Sequence, residues 1–188
     1  SKFGGTSVGT FEAMQRSANI VAADSDRQLI VISATSGTTN DLVALSANNI
    51  DSTQREELLG NIEKRHIDII EQCKEQDKLR DIFYKEFSAL REHLDFVGRD
   101  KRWKDQLFAF GELMSTKIFV EVLKEVGVDV EWLDARSVMK TDSTFGNADP
   151  ILASIKKKAK PTTKVLKKSV STDAIKEDAK RNKKNTSS

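Results

Sequence analysis

The first residues of the chain combine side-chain and backbone groups that could bind a phosphate. Residues 2–8 have the sequence KFGGTSV, in which one lysine precedes two adjacent glycines, Gly4 and Gly5. Glycines allow backbone N–H groups to approach a ligand closely, and a nearby lysine adds a positive charge. Thr10 could cap a following helix, whose positive end would then face the same place. Many Gly-Gly pairs are only turns, however, and Lys2 taken alone could be an exposed terminal lysine.

A second group of polar side chains follows an apolar run over residues 29–32. Ser33 and Thr39 carry hydroxyl groups that could bind a carboxylate or orient a phosphoryl acceptor. Their alternative role is to cap the next helix, although Asn40 could cap that helix instead. In open α/β sheets, ligands bind beyond the carboxyl ends of the strands, which is where this loop would lie.

A carboxylate occupies the third segment of interest. Glu112 follows Gly111 within a helical pattern, and a glycine inside a helix costs about 1 kcal/mol relative to alanine. The tolerated glycine predicts that another part of the protein packs closely against the backbone there. Glu112 is then either a carboxylate that faces the ammonium group of a ligand or an exposed helix residue.

Helices and strands alternate among the elements that would position these residues. Helical spacing of apolar side chains predicts four long helices, over residues 10–23, 54–73, 77–95 and 103–125. Residues 53–56 have the spacing of a capping box, and Gly127 has the type expected just after a helix end. The run at 29–32 is typical of a strand buried on both faces, and residues 128–133 alternate like another strand. The second and third helices would form a helical hairpin inserted between two of the site segments.

Four segments resemble the motifs of the aspartokinases, a branch of the amino acid kinase family, and they occur in the family's order. They are residues 2–8 (KFGGTSV), 33–40 (SATSGTTN), 110–115 (FGELMS) and 145–150 (FGNADP). The last segment is similar to the lysine-sensitive type, whereas Phe110 stands where aspartokinases often have a polar residue. The resemblance covers residues 1 to about 150. It implies an α/β fold, namely the N-terminal part of a three-layer α/β/α amino acid kinase domain.

The resemblance also implies a role for each candidate residue. Lys2 would be the catalytic residue, in contact with the transferring phosphate. The residues that bind the ATP phosphates would be Lys2, Gly4 and Gly5. The residues that bind aspartate would be Ser33, Thr39 and Glu112, with the last facing the substrate's ammonium group.

The implied reaction is ATP-dependent phosphorylation of L-aspartate to 4-phospho-L-aspartate, which opens lysine, threonine and methionine biosynthesis. ATP would arrive as its Mg²⁺ complex, and no tightly bound cofactor is expected. The family's arginine-containing second half, its nucleotide-base pocket and its regulatory, dimer-forming domains are not found in the sequence. We therefore expect low activity from these residues alone. Because the apolar strand that normally precedes the first motif is mostly missing, we also expect that the chain begins inside a longer one. The alternative is a non-catalytic aspartokinase remnant from a truncated or frameshifted gene.

Charge is distributed unevenly along the chain. Residues 151–188 contain 12 basic and three acidic residues, a net charge of +9, whereas residues 1–150 contain 19 basic and 26 acidic residues, a net charge of −7. We predict a partial kinase domain over 1–150 and a disordered basic tail over 151–188, because the tail has no aromatic residue and little apolar surface. Nucleic-acid binding by this tail is the weaker alternative. An out-of-frame extension of an AT-rich gene would have the same composition.

The remaining residues exclude several other classes of protein. Cys73 is the only cysteine, so no intrachain disulfide can form, and we predict a buried or half-buried inert thiol. His66 and His93 are expected to be surface or half-buried residues. No Cys/His cluster has metal-ligand spacing, and no apolar run approaches the ~20 residues that span a bilayer. The sequence therefore predicts a cytoplasmic protein with no metal site and no membrane span.

Overall fold

The computed structural model describes residues 1–26, 29–96 and 98–165. Within them, two short strands, β1 (Lys2–Phe3) and β2 (Val31–Ile32), are surrounded by helices. A 3-10 helix, Gly5–Val8, precedes the first of the α-helices. The α-helices are α1 (Phe11–Ala22), α2 (Thr38–Leu45), α3 (Ser52–Ile70), α4 (Gln76–Leu94), α5 (Lys101–Glu125), α6 (Ala135–Val138) and α7 (Leu152–Val165).

Helix α1 connects the two strands, which are parallel and place Lys2 opposite Val31. The predicted cap is confirmed, because the Ala13 N–H donates to Thr10 Oγ1 at 3.2 Å. Four apolar side chains have the helical spacing that predicted α1; of these, Met14, Ala18 and Val21 are buried and Phe11 is half-buried. Strand, helix and strand thus form a compact crossover that brings the carboxyl ends of both strands to one edge.

The second strand is not buried on both faces, so that prediction is wrong. Ile32 is buried, whereas Val31 is 49% exposed and Leu29 is 62% exposed. Helix α5 packs against one side of β2, and among the described residues nothing comparable covers the other side. Four consecutive apolar residues could not show from their spacing that only one face is covered.

Two predicted helix starts are displaced. Asn40 lies inside α2, because the helix begins after Gly37, whose φ of 86° is a left-handed conformation that favours glycine. The capping box of α3 is formed by Asp51 and Gln54 rather than by residues 53–56. The Gln54 N–H donates to the Asp51 carboxylate at 2.8 Å, and the Asp51 N–H donates to the Gln54 side chain at 3.3 Å.

The core lies between helices α1 to α5. The predicted hairpin is confirmed as helices α3 and α4, which pack on each other, and α5 packs against α1, α2 and α4. The predicted end of α5 is also confirmed. Gly127 has a φ of 84°, and the Val128 N–H donates to the Leu123 carbonyl at 3.0 Å. Fully buried side chains of these helices include Met14, Leu42, Leu59, Phe83 and Phe119.

Residues 128–133 do not form the predicted strand. No neighbouring strand pairs with them in the described part of the chain, where the sheet consists of β1 and β2. They are instead held by side chains, since Trp132 donates through its indole N–H to Thr116 Oγ1 at 3.1 Å and Lys117 lies over the Trp132 ring.

The structure also differs from the predicted disorder immediately after Ile151. Residues Leu152–Val165 form α7, which packs against α6, and Lys158 donates to the Ser137 carbonyl at 3.2 Å. Leucine, alanine and lysine favour helix, and this docking adds contacts that the composition could not predict. The rest of the predicted tail, 166–188, lies outside the described residues. None of the helices from 1 to 165 that the structure describes has the length and apolar character needed to cross a bilayer.

Candidate active site

The loops that follow the two strands are in backbone contact. The Ser33 N–H donates to the Phe3 carbonyl at 3.2 Å, which extends the pairing of the strands to their carboxyl ends. A Cβ added to Gly5 would lie 2.9 Å from the Ala34 carbonyl oxygen, so a side chain there would force the loops apart. This close approach explains the second glycine of the KFGG segment.

Helix α5 brings the third segment to the same place. A Cβ added to Gly111 would lie 2.8 Å from Ala34 Cβ and 3.3 Å from Leu42 Cδ1. The close packing predicted for this helix glycine is therefore confirmed. Ala34 is enclosed between two glycines, Gly5 at its carbonyl oxygen and Gly111 at its methyl group.

A buried hydroxyl connects two of the candidate residues. The Ser115 hydroxyl donates to the Ser33 carbonyl oxygen at 2.8 Å and lies 3.2 Å from the Glu112 carbonyl oxygen. Ser115 is fully buried, whereas Ser33 and Glu112 are half-buried. One side chain of α5 thus fixes the loop after β2 next to the helix turn that carries Glu112.

The other predicted residues lie around this junction. Lys2 is on β1 with an exposed side chain, and Gly4 is half-buried. Thr39 is exposed in the first turn of α2, next to Thr38, whose methyl group packs at Gly111. The contacts of the described residues bring together Gly5, Ser33 and Glu112, but they include none that joins Lys2 or Thr39 to Glu112.

The fourth segment docks on the same helix, nearer its start. The Gly146 N–H donates to Asp105 at 2.9 Å, and the Arg102 guanidinium lies 5.9 Å from the centre of the Phe145 ring. Asp105 precedes Gly111 by six residues, which is about 9 Å along the helix axis. Residues 145–150 therefore lie beside the candidate site rather than within its central contacts.

Sequence reasoning missed a histidine beneath the loop. His66 was expected at or near the surface, but its side chain is fully buried. His66 Nε2 lies 3.2 Å from Thr35 Oγ1, which in turn lies 2.6 Å from Thr38 Oγ1, and the imidazole stacks on the Phe83 ring. The signal was present, since Ile62 and Ile69 place His66 within the apolar stripe of α3. Burial lowers the pKa of His66 to about 4, so the imidazole is neutral at pH 7.

A second side chain of α3 covers the outer part of the loop. Arg65 donates to Asp41 at 2.7 Å, and its guanidinium would lie 3.2 Å from a Cβ added to Gly37. Two features therefore favour glycine at position 37: its left-handed φ and the close packing of the Arg65 guanidinium. The inserted hairpin thus supports the candidate site directly.

The remaining titratable predictions fall outside the site. Cys73 is buried as predicted, and burial raises the pKa of its thiol to about 12. His93 is half-buried, and its Nε2–H donates to the Trp103 carbonyl at 2.9 Å. In the part of the chain that the structure describes, no three His, Cys, Asp or Glu side chains are grouped so that they could hold a metal ion.

Comparison with known proteins identifies relatives of this chain. The lysine-sensitive aspartokinase 3 of Escherichia coli is 40% identical over 161 residues, which are 82% of this chain and 35% of that protein. The crystal structure of E. coli aspartokinase III in complex with lysine and aspartate superimposes with a TM-score of 0.82 at 36% identity. That match covers 87% of this chain and 38% of the other. The chain therefore spans little more than a third of these relatives.

A more distant structure shares the fold. The aspartate kinase of Clostridium acetobutylicum matches 85% of this chain and 35% of its own, with a TM-score of 0.65 and 18% identity. These matches confirm both the predicted α/β fold and the resemblance to aspartokinases. The sequence profile of the amino acid kinase family matches residues 1–182, so it continues beyond Pro150, where the motifs end. The chain belongs to the amino acid kinase family.

Proposed function

We propose that this chain provides the aspartate and phosphate side of an aspartokinase, which transfers a phosphoryl group from ATP to L-aspartate. The observation that carries the proposal is the junction of three segments at the carboxyl ends of two parallel strands. There the Gly4–Gly5 loop, the loop from Ser33 and the helix turn of Glu112 are fixed to one another. A structure of E. coli aspartokinase III in complex with aspartate and ADP has the same fold, with a TM-score of 0.82.

The phosphate side would be built from the loop after β1. Gly4 and Gly5 offer backbone N–H groups without side chains to block access, and Lys2 adds a positive charge. The substrate would be the Mg²⁺ complex of ATP. Phosphoryl transfer depends mainly on positioning and on offsetting negative charge. We assign Lys2 the role of offsetting negative charge on the transferring phosphoryl group.

The aspartate side would be built from α5 and the loop after β2. Glu112 has the charge needed to bind the ammonium group, and the hydroxyls of Ser33 and Thr39 can donate to a carboxylate. An oxygen of the aspartate side-chain carboxylate then attacks the γ-phosphorus of ATP. The bond from that phosphorus to the oxygen bridging to the β-phosphate breaks, which releases ADP and 4-phospho-L-aspartate.

The proposal is tested with the purified 188-residue chain by measuring L-aspartate binding and aspartate-dependent ADP release separately. We expect L-aspartate to bind, and Glu112→Ala to weaken binding by tenfold or more, because a hydrogen bond to a charged group contributes about 1.5–3 kcal/mol. Glu57→Ala, on the exposed side of α3, is the matched control and should bind as the wild type does.

The two measurements also bear on the alternative. ADP release that requires L-aspartate would exclude the non-catalytic remnant. Binding with little ADP release is the result expected of these residues alone. The absence of any saturable aspartate binding, in a chain shown to be folded by circular dichroism, would overturn the proposed function.

A further inference from the structure

We propose that His66 is a positioning residue that holds residues 33–39, which are the loop after β2 and the start of α2, in the conformation that presents the hydroxyl groups of Ser33 and Thr39 to the amino acid substrate. The inference rests on the proposed function for its link to aspartate. The conformational part, however, concerns only a buried hydrogen-bonded chain from α3 to the loop. It can be tested without any ligand.

The direction of this hydrogen-bonded chain follows from its last acceptor. His66 Nδ1 lies 2.7 Å from the Ile62 carbonyl oxygen, which can only accept, so Nδ1 carries the proton. In a neutral imidazole Nε2 is then an acceptor. The Thr35 hydroxyl must therefore donate to Nε2, and its oxygen is free to accept from the Thr38 hydroxyl. The series of hydrogen bonds therefore runs from Thr38 through Thr35 and His66 to Ile62.

The loop conformation depends on these inward-facing hydroxyls. Thr35 is 1% exposed and Thr38 is fully buried, and the Thr38 N–H also donates to the Thr35 carbonyl at 3.0 Å. The other hydroxyl-bearing residues of this segment are more accessible, since Ser36 and Thr39 are exposed and Ser33 is half-buried. Two hydroxyls of the loop are thus fixed in the core while the others remain available at the surface.

Loss of the acceptor on His66 would free the loop. The Thr35 and Thr38 hydroxyls could then form only one hydrogen bond between them, in either direction. One of the two buried O–H groups would lose its acceptor, which favours conformations in which it reaches water. Such conformations turn residues 35–38 outward and displace Ser33 and Thr39. A role in packing alone would differ, because an aromatic ring of similar shape at position 66 would still stack on Phe83 and leave the loop unchanged.

The first experiment measures loop order in the 188-residue chain without ligand. We compare amide hydrogen exchange for the wild type, His66→Phe and Thr35→Val. His93→Phe is the matched control, since His93 contacts Trp103 and not the loop. We expect amide exchange over residues 35–39 to accelerate at least tenfold in His66→Phe and Thr35→Val, while the exchange rates of α4 stay the same. Unchanged exchange in both folded variants would overturn the proposal.

Nuclear magnetic resonance of ¹⁵N-labelled histidine provides an independent check that does not depend on any variant folding. We expect His66 to be a single neutral tautomer with the proton on Nδ1 at pH 7. A proton on Nε2, or a rapidly averaging mixture, would contradict the hydrogen-bonded chain and overturn the proposal.

The link to substrate is tested by L-aspartate titration of the same proteins. We expect the Kd to rise about tenfold in His66→Phe and in Thr35→Val, and no further in the double variant, because both remove one interaction. Equal affinity in variants with a loosened loop would overturn the positioning role. A wild type that does not bind L-aspartate would refute the proposed function instead, while the exchange and tautomer results would still decide whether His66 holds the loop.

Discussion

Substitution of Gly111 by alanine probes the packing that joins α5 to the loop after β2. The added Cβ would lie 2.8 Å from Ala34 Cβ, well inside the optimal carbon–carbon separation of about 3.5–4.0 Å. Ala34 cannot retreat easily, because Gly5 already lies against its carbonyl oxygen. Overpacking of this kind costs about 1–3 kcal/mol, whereas alanine in place of a helix glycine gains about 1 kcal/mol. We expect the free energy of unfolding to fall by about 1 kcal/mol.

Gly60 offers a matched control on the neighbouring helix. It also lies inside a long helix, α3, but a Cβ added there would meet nothing within 4 Å. Gly60→Ala should therefore raise the free energy of unfolding by about 1 kcal/mol, so that the two variants differ by about 2 kcal/mol. Urea unfolding followed by circular dichroism measures both values, provided that the slope with urea is unchanged. Equal stabilisation by the two substitutions would refute the packing argument.

Three further predictions concern titratable side chains. Burial holds the pKa of His66 near 4, below its ordinary 6.5, so the unfolded chain takes up this proton first. The free energy of unfolding should therefore fall as the pH falls from 7 towards 4, by about 2 kcal/mol at pH 5 from this group, and His66→Phe should lack this component in urea titrations. In a coupled assay of ADP release with a full-length version of the enzyme, Lys2→Ala should mainly lower kcat while Glu112→Ala should mainly raise the KM for aspartate; wild-type kinetics in both would contradict their assignment. Burial raises the pKa of the Cys73 thiol to about 12, so iodoacetamide should modify it only in urea, and fast labelling of the native chain would contradict its burial.

Local rules predicted the helices well because each depends on residues close in sequence. Thr10 caps α1, and the spacing of Met14, Ala18 and Val21 identifies the face of α1 that is buried. The glycine at 111 was informative for the same reason, since its cost in a helix requires a compensating contact. The compensating contact is with Ala34, which lies between Gly5 and Gly111 in the candidate site.

The errors arose where tertiary neighbours decide the outcome. The exposure of Val31 depends on which face of β2 is covered, and the missing strand at 128–133 depends on a pairing partner. His66 was misplaced because a polar residue in an apolar stripe is buried only when a partner satisfies it. That partner, Thr35, is 31 residues away in the chain and could not be identified from spacing.

The central claim is that the loop after β2 and the Glu112 turn of α5 form the aspartate side of one site, and mapping of L-aspartate binding by ¹H–¹⁵N correlation spectra tests it most directly. Titration of the 188-residue chain should give saturable shifts at the amides of Ser33 and Glu112 together. Succinate, which lacks the ammonium group, should bind at least tenfold more weakly because Glu112 then has no partner. Shifts confined to other parts of the chain, or equal binding of succinate and L-aspartate, would contradict the account.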